Sequence, residues 1–173
     1  MADIDHQPGI HVAVYGATGA AGRQVLLALE GYGLPIEELL AVGGPGSAGR
    51  EAYWRGRPIT VVGDQRVEIA SLDVAILAVP AQIAETLRAP LIDAGVFVID
   101  LAGSGGDGAL PLMWPSLDLS PLETHSGGIA LPCGIPGTLL PLLTALAGFS
   151  LTELDVTAKL RHPSVVMLLA ACL

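Results

Sequence analysis

The chain is poor in aromatic rings, in positive charge and in cysteine, and each shortage narrows what it can be. Phe, Trp and Tyr make up only 4% of its 173 residues, so a core has to be assembled from Leu, Val, Ile and Ala. Lys and Arg number 8 against 17 Asp and Glu, a formal net charge of −9. Such a surface repels a phosphate backbone, and nucleic acid is not an expected partner. The two cysteines, Cys133 and Cys172, form neither a disulfide framework nor a C-x-x-C pair, which points to the reducing cytoplasm. His6, His11, His125 and His162 are scattered at no metal-ligand spacing, so no metal is expected. No apolar run reaches the roughly 18–20 residues that span a bilayer, and the polar start "MADIDHQPG" is not a signal peptide, so no membrane association is expected.

What the chain does have is aliphatic bulk and turns. Hydrophobic residues make up 51% of it, with 22 Gly and 13 Pro. That composition suits a well-buried domain with short connections. "HVAVYG" (11–16) reads as a buried strand, and the following segment has helical spacing, with Val25, Leu26 and Leu29 on one face. "LLAVGG" (39–44) is a second strand and "GPGSAG" (44–49) a loop. "AYWRGRPITVVG" predicts a small hairpin or a pair of short strands around Gly56. "DVAILAVP" (73–80) and "VFVID" (96–100) read as buried parallel strands on either side of a helix closed by Gly95. Residues 101–127 read as mostly irregular, "GIALP" (128–132) as one more strand, and a helix is expected to run from there to about Gly148. The fold class expected is α/β: a Rossmann-type, doubly wound parallel sheet followed by the start of a second α+β domain. The expected organisation is a tail over 1–10, a dinucleotide-binding domain over 11–132, and the truncated beginning of a catalytic and dimerisation domain over 133–173.

The first strand runs into "YGATGAAGRQ", which places Gly16, Gly19 and Gly22 between a strand and a helix. Gly16 permits a sharp exit from the strand. Gly19 lets main-chain N–H groups approach a diphosphate, and Gly22 lets the helix pack close to the sheet. The helix N-terminus adds partial positive charge. Gly16, Ala17, Thr18, Gly19, Ala20 and Gly22 are therefore the candidate dinucleotide cradle. The end of the second strand lacks the acid that usually holds an NAD ribose. Ser47 and Arg50 stand in the next loop and could receive a 2′-phosphate, which favours NADP over NAD. Arg23 is either a further phosphate contact or a solvated first-turn residue.

Other chemistries can be tested on the same residues. A Tyr-x-x-x-Lys pair is absent: Gly19, Ile36 and Arg57 stand four residues after Tyr15, Tyr32 and Tyr53, and Lys159 is the only lysine. Asp118, His125 and Ser126 or Ser104 lack a nucleophile elbow and do not suggest a hydrolase. Met113 and Trp114 read as packing residues.

Taken together, "VAVYGATGAAGRQVLLAL", "LPIEELLAV", "GSAGR", "VFVID", "LPLMWPSLD" and "GGIALP" resemble the aspartate-semialdehyde dehydrogenase family in order and spacing over about residues 11–160. The resemblance implies a Rossmann-type cofactor domain followed by an α/β domain for catalysis and dimerisation, hence a homodimer. It also implies NADPH-dependent reduction of an acyl phosphate to a semialdehyde through a cysteine thiolate. Aligned on Ala130 and Pro132, the family's cysteine falls at Gly134, and Cys133 stands one residue early. Pro141 sets a helix start near Gly137 or Thr138, too far from Cys133 for the dipole to favour a thiolate. Cys133 is the candidate nucleophile, and a buried inert thiol is the competing reading. The loop after "VFVID" lacks the family's phosphate-holding arginine, Ser116 and Asp118 replace its glutamate and asparagine, and the end of the chain departs from the pattern. The expectation is an NAD(P)-binding domain whose chemistry is impaired or incomplete, or a non-catalytic binding paralogue that keeps the fold.

Overall fold

The computed structural model describes residues 9–103, 110–113, 119–124 and 127–132. Six parallel strands form its sheet: β1 (Ile10–Tyr15), β2 (Ile36–Gly43), β5 (Val62–Gly63), β6 (Val74–Leu77), β7 (Phe97–Asp100) and β8 (Gly128–Ala130). Their spatial order is β5-β2-β1-β6-β7-β8. The chain winds outward from β1 through β2 to β5, then returns to β6 and winds the other way. The direction reverses between β1 and β6, and a crevice opens there at the carboxyl ends of the strands, which is where ligands of open α/β sheets bind. This is the doubly wound architecture the sequence implied.

Alternation along β1 divides the core. Val12 and Val14 face one side, with Leu26 of α1 (Ala20–Gly31) and Ala52 of the β3–β4 hairpin. Ala13 and Tyr15 face the other, with Ala84 and Leu91 of α2 (Ala81–Asp93). All eight of these side chains are buried, so the sheet is covered on both faces. The hairpin, β3 (Glu51–Trp54) and β4 (Arg57–Thr60), occupies the place where a second crossover helix would lie. Its two-residue turn has positive φ at both Arg55 (50°) and Gly56 (68°), the geometry that matches strand twist in tight hairpins.

Three features depart from the sequence reading. First, β2 begins at Ile36 rather than 39. Pairing drives this: Ile10 aligns with Ile36 and His11 with Glu38, and the register shift between them accommodates Glu37 as an extra residue. The Nε2 of His11 lies 3.9 Å from Glu37 Oε2, while its Nδ1 lies 2.9 Å from the Ser71 carbonyl. Second, Ser120–Thr124 is a short helix, α3, within a stretch read as mostly irregular. A Ser-Pro start favours one helical turn, but five residues are too few to show a period. Third, two short 3-10 turns, Asp64–Arg66 and Ile69–Ser71, connect β5 to β6.

Beyond β8 the ladder gains one more rung. Met113 N–H donates to the Ala130 carbonyl at 2.8 Å, and Ala130 N–H donates to the Pro111 carbonyl at 2.9 Å. Every described element lies between Ile10 and Ala130. The expected helix after Pro132, and Cys133 with it, lie outside the described residues.

Candidate functional site

At the top of β1 the chain is held by two hydrogen bonds to one acceptor. Gly16 N–H and Ala17 N–H both donate to the Val42 carbonyl, at 2.9 and 3.2 Å. Gly16 has φ of +80°, and a Cβ there would lie 2.3 Å from the Ala78 carbonyl oxygen at the end of β6. Glycine is therefore required twice over at this position, by dihedral and by space. Gly19 N–H donates to the Gly16 carbonyl at 2.9 Å and closes the turn. A Cβ on Gly22 would meet that same Gly16 oxygen at 2.2 Å, so Gly22 sets how closely α1 approaches the strand exit. Gly19 is different: it is exposed, and a Cβ on it would touch only the Gly16 oxygen, at 3.2 Å. The space over Gly19 is open.

Helix α1 starts from this turn without a protein cap. Gly19 is its N-cap, no side chain hydrogen-bonds to its first turn, and its first turn has no acidic residue. The first N–H groups of a helix need an acceptor, and a capping hydroxyl or carboxylate is the usual one. Here that end is open to solvent, and the aligned dipoles favour negative charge beside it.

The loop after β2 comes back to this turn. Thr18 Oγ1 donates to Ser47 Oγ at 3.2 Å, so the glycine turn and the "GSAGR" segment meet, as a common binding role requires. Ser47 also packs against Gly43, where a Cβ would lie 2.9 Å from the Ser47 Cβ. Arg50 continues into the hairpin, its carbonyl accepting from Val61 N–H at 2.8 Å. Its side chain lines a hollow of about 350 Å³ between α1 and β3, together with Thr18, Arg23, Leu26, Leu27 and Tyr53. Arg23 is oriented by its own loop: Nε donates to the Thr18 carbonyl at 3.0 Å. Arg23 therefore braces the turn, an assignment the sequence had left open between phosphate contact and solvated residue.

Two features of the upper rim were not visible in the sequence. A second hollow, of about 370 Å³, lies at the ends of β2 and β5 and is lined by Pro45, Ala48, Gly49, Gly63, Asp64 and Arg66, among others. Asp64 acts on the end of β1: the Tyr15 hydroxyl is held above its ordinary pKa, first by burial and then by the negative charge of Asp64. Under β7, Arg88 of α2 reaches the fully buried Asp100, with Nε 3.7 Å from Oδ2. Asp100 Oδ1 accepts from Ala102 N–H at 2.7 Å and holds the turn out of the strand. Among the described residues no cluster of His, Cys, Asp and Glu could hold a metal ion, and no helix is long and apolar enough to cross a membrane.

Known proteins share this arrangement. Residues 11–115 match the family described as "Semialdehyde dehydrogenase, NAD binding domain". The aspartate-semialdehyde dehydrogenase of Bacillus subtilis is 30% identical over 125 residues, 72% of this chain and 36% of that protein. The chain thus spans about a third of that relative's length. A probable aspartate-semialdehyde dehydrogenase from Pseudomonas aeruginosa superposes with a TM-score of 0.72 at 24% identity, over 79% of this chain and 43% of that one. Aspartate semialdehyde dehydrogenase II from Vibrio cholerae, in complex with ASA, gives 0.70 at 24% identity, over 80% and 45% of the two chains. With the strand order, the glycine turn and a matched segment that covers most of the described sheet, the chain belongs to the semialdehyde dehydrogenase NAD-binding domain family.

Proposed function

We propose that residues 11–132 bind a nicotinamide dinucleotide as the cofactor domain of a semialdehyde dehydrogenase. The observation that carries this is the uncapped start of α1 facing open space over Gly19. In this reading Gly16, Ala17, Thr18, Gly19, Ala20 and Gly22 form the diphosphate seat. Gly16 and Gly22 shape it, while the N–H groups at the helix start and the Thr18 hydroxyl supply donors. Ser47 and Arg50 serve the adenosine end. When bound, the cofactor would supply or accept a hydride at its nicotinamide.

The chemical partner proposed is a small acyl phosphate or its semialdehyde, with Cys133 as nucleophile and residues 133–173 as the beginning of a catalytic and dimerising domain. The protein would act as a cytoplasmic homodimer. The displacement of Cys133 by one residue from the family register favours a second reading, a paralogue that binds cofactor without turnover. Phosphate-dependent oxidation of aspartate semialdehyde, compared between the native chain and Cys133→Ala, separates the two. Equal rates in both remove Cys133 from the mechanism.

Cofactor binding is tested by titrating NADH and NADPH, following nicotinamide fluorescence and the melting temperature. A ligand at 100 times its Kd should stabilise the fold by about 2.7 kcal/mol. Gly19→Ala should reduce affinity at least roughly tenfold, since its methyl group enters the seat and weakens charge-assisted hydrogen bonds. The melting temperature without ligand should stay near that of the native chain, because the substitution meets only one atom. Flat titrations with both coenzymes would discard the reading.

A further inference from the structure

The sequence lacks an acid at the end of β2, yet the structure brings one there from the neighbouring strand. β5 pairs with β2 in parallel, Val42 beside Val62 and Gly43 beside Gly63. Asp64 follows Gly63 directly and opens the 3-10 turn, as Gly44 follows Gly43 on the neighbouring strand. Gly44 itself offers no side chain, and the space a Cβ would take is clear of other atoms. Asp64 lines a hollow of about 370 Å³ together with Pro45, Ala48 and Gly49 of the loop that follows β2, within the range of small-ligand pockets. Asp64 is anchored on one oxygen only by its neighbour, Gln65 N–H donating to Oδ1 at 2.9 Å. Its charge is felt by Tyr15, which directly precedes the glycine turn.

We propose that Asp64 takes the place of the missing β2 acid, accepts hydrogen bonds from the adenosine ribose hydroxyls, and makes the site selective for NAD over NADP. The inference rests on the dinucleotide reading above and names the form of cofactor. A carboxylate is acceptor-only when ionised, so it suits a vicinal diol and repels a 2′-phosphate. The cations available to a 2′-phosphate are placed less well. Arg50 and Arg23 line the other hollow, which shares no lining residue with this one. Arg66 shares the hollow with Asp64 but stands at the far end of the 3-10 turn, Asp64–Arg66.

The test is a set of equilibrium titrations of NADH and NADPH against the full chain and its Asp64→Asn, Asp64→Ala, Arg50→Ala and Arg66→Ala variants, each checked by its melting temperature. NADH should bind the native chain at least about tenfold more tightly than NADPH, the scale of a hydrogen bond to a charged group. Both Asp64 variants should lose most of that preference and keep their melting temperature, since Asp64 is exposed. Arg66→Ala should leave it in place, and Arg50→Ala should weaken both coenzymes alike, since Arg50 serves the adenosine end they share. Tighter binding of NADPH, equal binding of both, or a preference that survives both Asp64 substitutions overturns the assignment while leaving the dinucleotide site standing. Loss of NADPH binding in Arg50→Ala or Arg66→Ala, with NADH unaffected, would place a phosphate receptor there and also overturn it. Failure of both coenzymes to bind overturns this inference together with the reading beneath it.

Discussion

Replacing Gly22 by alanine should destabilise the protein, although helix propensity alone gives the opposite sign. Gly22 lies in the first turn of α1, where glycine costs up to about 1 kcal/mol relative to alanine. The added methyl carbon, however, would stand 2.2 Å from the Gly16 oxygen and 2.8 Å from both Ala17 Cα and the Gly16 carbonyl carbon. The first distance is 1.2 Å short of the 3.4 Å at which ordinary contact begins (3.4 − 2.2). These are backbone atoms, and they are pinned, because Gly16 and Ala17 both donate to Val42 and Gly16 accepts from Gly19. The strain is relieved only by lifting α1 from the sheet, which loosens the buried Leu26. Overpacking of this kind costs about 1–3 kcal/mol, and sometimes more. Set against the propensity gain, a net loss of about 1 kcal/mol follows, or roughly 2–4 °C in Tm for a chain of this size. Gly31→Ala is the internal control, at the other end of the same helix, with no atom within 4 Å of the new Cβ and no positive φ. That change should raise Tm by up to a few degrees. Thermal and urea unfolding of the two variants provide the measurement. If Gly22→Ala matches or exceeds the native chain, or follows Gly31→Ala, the close-approach argument is wrong.

The ion pair under β7 should behave as a unit. Arg88→Met removes the cation beside the fully buried Asp100 and should cost about 3–5 kcal/mol in urea unfolding, whereas adding Asp100→Asn should recover much of that loss in a double-mutant cycle. Tyr15 should make the fold sensitive to alkali. Its folded pKa is raised above 10.0, so the unfolded chain ionises first. The stability it contributes is complete below that value and is lost as pH rises through the folded pKa. Tyr15→Phe should therefore flatten the fall in Tm above about pH 10.

Local chemistry made half of this molecule legible. β1, α1 and the glycine turn announce themselves because each is specified by residues adjacent in sequence: an apolar run, a helical spacing, and glycines where no side chain fits. The hairpin was readable for the same reason, since Gly56 marks a turn that needs positive φ. What escaped was set by pairing between distant segments. β2 gains its first three residues only because Ile10 and His11 lie alongside. β5 has two residues and no sequence signature, and it exists because β2 offers an edge. The Thr18–Ser47 contact could be suspected from composition, but its geometry depends on how the loop after β2 folds back.

Asp64 shows why this division matters for function. A search along the chain for an acid at the end of the second strand ends at Gly43 and Gly44 and points away from NAD. A search across the sheet finds the acid on the adjacent strand, placed by a register that two residues fix. The chemical requirement is for a carboxylate at a point in space above the crevice, and nothing in that requirement says which strand must carry it. A hairpin in place of the second crossover helix makes the substitution possible, because its return through Val61 brings β5 up beside β2. If Asp64 sets cofactor choice as proposed, exchanging the residues after β2 alone should leave the preference for NADH in place.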